Sequence, residues 1–136
     1  MLFRSLLGVA LIPVLLCGLM CIGGMVIAAV CSLVLCSVAD QAEALAEVRR
    51  VLRPGGELRF YEHVLSDSPR FARFQRTVDI VHPYLGGGCH VTRDTAGAIT
   101  RAGFEITRIR RFQFVPDLLT TQARPKILGT ARLPQG

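Results

Sequence analysis

The sequence predicts an α/β fold in which two neighbouring parallel strands are joined by a helical crossover. Three observations carry this. Residues 26–31 (VIAAVC) form a continuous apolar, β-branched run of the kind found in buried parallel strands. Residues 41–52 (QAEALAEVRRVL) repeat apolar side chains at three- and four-residue spacing, which predicts a helix. Arg53-Pro54-Gly55-Gly56 stops that helix and leads into residues 57–64, where Leu58, Phe60 and Val64 are spaced as in a strand. Strand, helix, turn and strand make a βαβ unit, and such crossovers are right-handed and build parallel sheets.

The local chemistry agrees with each element. Leu33-Val34-Leu35 extends the apolar character of the first strand. Asp40 stands where a helix cap belongs, with Glu43 three residues on. Glu47 and Arg50 are an i,i+3 pair on the helix surface. Proline cannot continue the helix, and glycine supplies the positive φ of the turn. Residues 68–82 predict a second helix, with Phe71, Phe74 and Val78 on one face and Arg70, Arg73 and Arg76 on the other. Gly86-Gly87-Gly88 is a flexible loop. Arg93-Asp94-Thr95 opens a third helix through about Ala102, with Thr92 or Asp94 as its cap and Gly103 as its stop. Residues 105–112 alternate, which predicts a strand with Ile106 and Ile109 inward. Residues 116–124 read as loop, and 127–133 as a final short strand.

Composition bounds the class. The chain has 136 residues, 51% hydrophobic and 19% charged, which excludes disorder and favours one domain. Sixteen basic against ten acidic residues give a net charge of +6. The charges are unevenly placed: no charged residue lies between Arg4 and Asp40. Residues 1–25 are therefore read as an apolar leader and 26–136 as the folded domain. The uncharged stretch is long enough for a bilayer-spanning helix, which needs about 20 residues, and its proline and glycines are tolerated in membranes. A secretory signal peptide fits less well, because no small-x-small cleavage site is present; a buried core segment is the remaining reading. The expectation is an N-terminal transmembrane helix with the domain on the cytoplasmic side, where Arg49, Arg50 and Arg53 follow. Without that helix the expected location is the cytoplasm.

The five cysteines, at 17, 21, 31, 36 and 89, show no paired zinc spacing and are read as reduced, buried small hydrophobes in a reducing compartment. His63, His82, His90 and Cys89 fit no ligand pattern, so no metal is expected.

The residues also suggest a family. VCSLVLCSVAD, then a helix, then EVRRVLRPGGELRFYEHV resembles the second half of a class I S-adenosylmethionine-dependent methyltransferase. The later GGGCHVTRDT, AGF and RPKILGTAR look like the small, often membrane-associated thiol methyltransferases of the methyltransferase-like group. The family's Rossmann-like sheet runs 3-2-1-4-5-7-6, so the resemblance implies strands 4-5-7-6 here. It does not extend to the family's first half, which carries a glycine-rich cofactor loop and an acidic residue for the ribose; no acidic residue precedes Asp40. A truncated reading of a longer sequence is expected to look like this. The strand near Ile27 would then lack its first-strand neighbour and present a bare apolar edge, to be covered by the leader, a partner or a second copy.

Ligands of open α/β sheets bind at the carboxyl ends of the strands. The resemblance places Cys31, Ser32, Leu33 and Cys36 beside the S-adenosylmethionine cofactor. Glu62 and His63 close the next strand, and His63 can hold an acceptor proton near neutral pH. His90 and Arg93 are candidates for lining an acceptor pocket. Arg108, Arg110 and Arg111 with Phe112 and Phe114 raise nucleic acid as a partner, but alternation puts Arg108 and Arg110 on a solvated face, so none is expected. Beside a membrane the same charge would meet anionic headgroups. The implied activity is methyl transfer to a small apolar acceptor, with a thiol as the candidate, weak where half the cofactor site is lacking. The alternative is a membrane-anchored, non-catalytic interaction protein derived from a methyltransferase half.

Overall fold

The computed structural model describes residues 17–22, 25–115 and 117–136. Its elements are β1 (Cys17–Ile22), β2 (Met25–Ser32), α1 (Gln41–Val51), β3 (Leu52–His63), α2 (Pro69–Val78), α3 (His82–Leu85), α4 (Thr95–Arg101), β4 (Glu105–Gln113), a 3-10 helix (Leu118–Ala123) and β5 (Pro125–Arg132). They form one five-stranded sheet in the order β1-β2-β3-β5-β4. β2 and β3 are parallel neighbours joined through α1, as the sequence predicts, and β5 pairs antiparallel with both β3 and β4. The last four strands thus take the 4-5-7-6 order.

The crossover forms for the expected reasons. Asp40 caps α1, its Oδ1 accepting the N–H groups of Ala42 at 2.8 Å and Glu43 at 3.1 Å. Arg50 donates to Glu47 across one turn at 2.9 Å. Ala44, Leu45 and Val48 are buried against Ala29 and Cys31 of β2, Leu58 and Phe60 of β3, and Ile127 and Ala131 of β5. Ala98 and Ile99 of α4 join the same core. Burying Leu45 alone is worth about 1.5–3 kcal/mol. β3 starts earlier than expected, because Leu52 already pairs with Val26 before an irregularity that spans the Pro-Gly-Gly segment. Gly55, at φ 76°, makes that turn, and its N–H donates to Leu133 O at 2.9 Å.

Several expectations are corrected. Cys17–Ile22, read as part of an apolar N-terminal helix, is a strand that pairs antiparallel with β2. It pairs along β2 from Val26 to Cys31, so the β2 edge is not bare. Residues 1–16, the rest of that expected helix, lie outside the described residues. Among the described residues no helix is long and apolar enough to cross a membrane. On α2 the buried side chains are Ala72 and Gln75, while Phe74 is exposed. Phe71 instead lies beneath the Arg124 guanidinium at 4.3 Å. Ile109 is exposed on the edge strand β4, although the register shift between Ile106 and Arg108 sets it opposite Gly129, on the face where Ile106 meets Ala131. The 116–124 loop contains the 3-10 helix, capped by Asp117 through the Thr120 N–H at 3.0 Å. Cys31 is disulfide-bonded, whereas Cys36 and Cys89 are free thiols.

Candidate functional site

The carboxyl ends of β2 and β3 meet under the loop 33–39 that leads into α1. Leu33 turns the chain there with φ 56°, the one positive φ at a non-glycine residue among those described, and its N–H donates to Tyr61 O at 2.8 Å. A non-glycine residue in that region persists only where its surroundings hold it. Glu62 does the holding. It is fully buried, and its carboxylate accepts the N–H groups of Val34 at 3.1 Å, Leu35 at 3.0 Å and Cys36 at 3.1 Å. From the opposite side Arg93 Nη1 donates to Leu35 O at 2.7 Å, Gln41 Nε2 donates to Leu35 O at 2.9 Å, and the His90 N–H donates to Cys36 O at 2.8 Å.

This fixes where each candidate stands. Ser32 and Leu33 are exposed at the tip of β2. Cys31 and Cys36 are buried, and both backbone groups of Cys36 are engaged within the fold. Glu62 and Arg93 face the loop. The His90 ring bonds Asp79, with Nδ1 at 3.0 Å from Oδ2. His63 is half-buried at the end of β3, beside two sulfurs. Its Nδ1 lies 3.2 Å from Cys89 Sγ and 3.8 Å from Cys36 Sγ, and the two sulfurs are 3.2 Å apart. Of the residues whose spacing fits no ligand pattern, the fold brings His63 and Cys89 together, and Cys36 joins them. His82 stays apart and donates from Nδ1 to Cys89 O at 2.9 Å.

The electrostatics follow from these contacts. Donation from the Cys89 S–H holds the Cys36 thiol down at about 4; burial opposes this, and His63 and Ser37 reinforce it. Cys89 is pushed upward by the same bond and by burial. Burial, and then the negative Cys36, push the Glu62 carboxyl up to about 8 against the three N–H groups that favour its charge.

Three structural residues escape sequence reasoning. Gln75 is fully buried: its Oε1 accepts the Ser66 N–H at 2.8 Å, and its Nε2 donates to Val64 O and Val91 O at 3.1 Å and to Gln122 O at 3.0 Å. Asp79 accepts the Val91 N–H at 2.7 Å and the Thr92 hydroxyl at 2.8 Å. Lys126 is buried and donates to Ala123 O at 2.9 Å. Nothing local marks Gln75, which stands among Arg73, Arg76 and Asp79, or its four partners.

Two grooves open nearby. One of about 640 Å³ lies between α1 and α4, with Asp40, Arg49, Arg93 and Arg101 in its wall. It does not reach the sulfur–imidazole cluster. The other, of about 500 Å³, is lined by Val78, Val81, His82, Leu85, Leu119 and Gln122, and connects to the cluster through the His82–Cys89 bond.

Residues 25–60 match the model of a methyltransferase domain. Human thiol S-methyltransferase TMT1A is 40% identical over 109 residues, covering 79% of this chain and 44% of that protein. Rat thiol S-methyltransferase TMT1B is 38% identical over 107 residues, covering 75% and 41%. The chain thus spans less than half the length of these curated relatives. Among solved structures, a protein described as a methyltransferase from Bacillus halodurans superposes with a TM-score of 0.62 at 16% identity, over 82% of this chain and 65% of that one. A SAM-dependent methyltransferase from Methanosarcina mazei does so with a TM-score of 0.62 at 20% identity, over 83% and 61%. The N-methyltransferase NodS from Bradyrhizobium japonicum, in complex with S-adenosyl-L-homocysteine, does so with a TM-score of 0.53 at 17% identity, over 85% and 50%. The chain is a sequence relative of thiol S-methyltransferases and has a methyltransferase-like α/β fold.

Proposed function

We propose that this chain supplies the acceptor-side half of an S-adenosylmethionine-dependent methyltransferase and that its acceptor is a small apolar thiol. The observation that carries this reading is the identity of 38–40% to proteins named thiol S-methyltransferases, in a chain whose β2-α1-β3 crossover opens with a tightly held loop.

The residues present fit one side of the donor. Ser32 and Leu33 are exposed at the carboxyl end of β2 and would border it, while Cys31 and Cys36 support the loop from within. The described residues contain no acidic side chain before Asp40 to hold a ribose, so they do not fit the other side. When bound, the donor supplies a methyl group on a sulfonium. In-line transfer asks the protein mainly for proximity and orientation. The acceptor must be a thiolate, the nucleophilic form. The apolar groove beside α3 suits a small hydrophobic acceptor. His63 lies outside that groove's lining, at the end of β3; its Nε2 makes no hydrogen bond among the described residues and can hold the proton of an acceptor bound at the strand ends.

Titration of the labelled chain with S-adenosyl-L-homocysteine tests the donor side. Saturable amide shifts confined to residues 31–37 are expected; no shift at any concentration overturns it. Mass spectrometry of a small alkylthiol incubated with chain and donor tests the acceptor side, where formation of the methyl thioether is expected.

A further inference from the structure

We infer that Cys36, His63 and Cys89 form a binding site for a thiophilic divalent cation of the zinc class, with two thiolates and one imidazole as ligands. Three potential ligand atoms lie within 4.8 Å of one another. In a tetrahedral zinc site, bond lengths of about 2.3 Å to sulfur and 2.0–2.1 Å to nitrogen imply edges of about 3.8 Å between sulfurs and about 3.6 Å from sulfur to nitrogen. The observed edges are 3.2 Å between the sulfurs, and 3.2 Å and 3.8 Å from Nδ1 to Cys89 and Cys36. The sulfurs need to part by only about 0.6 Å to admit the ion.

The ligands come from three separately anchored segments. Cys36 rides on the loop pinned by Glu62, Cys89 on a loop held through its carbonyl by His82, and His63 ends β3. Such support holds ligands in place before the ion arrives. Two soft sulfurs and an imidazole select zinc-like cations over magnesium or calcium. Both thiols are buried, which excludes competing water, and half-buried His63 marks the accessible side.

The charge balances. Cys36 binds as the thiolate, Cys89 releases the proton it shares with Cys36 as its sulfur–metal bond forms, and His63 binds as neutral imidazole through Nδ1 with its proton on Nε2. A divalent cation with two thiolates is neutral overall, so burying it carries no net-charge penalty. Packing with Val91 and Ala123 accounts for two buried thiols but not for an imidazole nitrogen set against both. Three protein ligands leave one tetrahedral position open. A cation there replaces His63 in stabilising a thiolate at the strand ends; this last consequence rests on the methyl-transfer reading, whereas the binding does not.

The test uses the full chain, reduced, stripped with chelator and free of methyl donor, titrated with Co²⁺ and then Zn²⁺. One Co²⁺ per chain is expected, with sulfur-to-cobalt charge-transfer absorption that Zn²⁺ abolishes by displacement. His63→Ala should weaken binding at least about tenfold, and Cys36→Ser with Cys89→Ser should abolish the charge-transfer band. His63 is half-buried at a strand end, so its variant keeps the test valid if the cysteine variants unfold, with circular dichroism as the check. The inference is overturned if the unsubstituted chain shows no charge transfer beyond the double cysteine variant, or if His63→Ala binds equally well. A lack of methyl transfer alongside intact cobalt binding counts against the proposed function and not against this site.

Discussion

Glu62 Oε2, one residue from the end of β3, accepts the backbone N–H of Cys36 at 3.1 Å. With the bonds from Val34 and Leu35, this makes the carboxylate a clamp on the loop that turns with Leu33 at φ 56°. A group so enclosed positions the site rather than meeting a substrate.

The clamp gives Glu62 a pH signature. Burial and the negative Cys36 raise its carboxyl from 4.5 to about 8 in the folded chain. Between those values the folded state binds the proton that the unfolded chain has released, so stability is fullest below about 4.5 and falls as pH rises through about 8. Urea unfolding at a series of pH values should show this slope. In Glu62→Gln the slope should vanish and overall stability fall by about 1–3 kcal/mol, since an amide N–H₂ would face a backbone N–H.

Asp79 should titrate in the opposite sense. Burial alone would raise its carboxyl, but bonds from the His90 ring, the Thr92 hydroxyl and the Val91 N–H hold it below the ordinary 3.8. Its contribution is present above that ordinary value and is lost as pH falls through the lower folded value. Amide exchange at Val91 read against pH checks this: protection should collapse in acid, and in Asp79→Asn the acid-dependent part of that loss should be gone.

Gln75 ties the end of β3 to two separate segments through one buried amide. Gln75→Leu leaves three carbonyls and the Ser66 N–H without this partner, and a loss of at least about 2 kcal/mol in chemical unfolding is expected. A cost under half that would show that water replaces the amide.

Gly129 sits where β4, β5 and the Phe60 ring converge. A Cβ there would meet Arg108 O at 2.4 Å and Phe60 Cζ at 2.5 Å. Gly129→Ala should lower stability by about 1–3 kcal/mol. Gly87→Ala, with nothing within 4 Å but a φ of 64°, should cost less, through backbone strain alone. Parallel thermal melts compare the two.

The crossover was legible because its signals are local. Asp40, the α1 periodicity and Pro54-Gly55-Gly56 each act within a few residues, and the same elements appear in the fold. The apolar leader was misread where it can be seen. Hydropathy does not distinguish a lipid-facing helix from a strand that completes an apolar edge, and Cys17–Ile22 takes the second course against β2. Ile109 was misplaced because a strand's apolar pattern does not say whether the strand lies at the edge of the sheet, where β4 leaves it exposed. At the site, Glu62 and His63 were found by their position at a strand end. The partners that define what they do, the loop N–H groups and the two sulfurs, are 26–28 residues away.

By itself the sequence determined the helices, the parallel pair and the family likeness, since caps, turns and periodic apolar faces are short-range physics. Only the tertiary structure decided that Cys36 and Cys89, 53 residues apart, meet over His63, and that Glu62 is spent on holding a loop. Those relationships depend on which loops the sheet order brings to one end of the strands, and pairing across a sheet is a property of the whole chain.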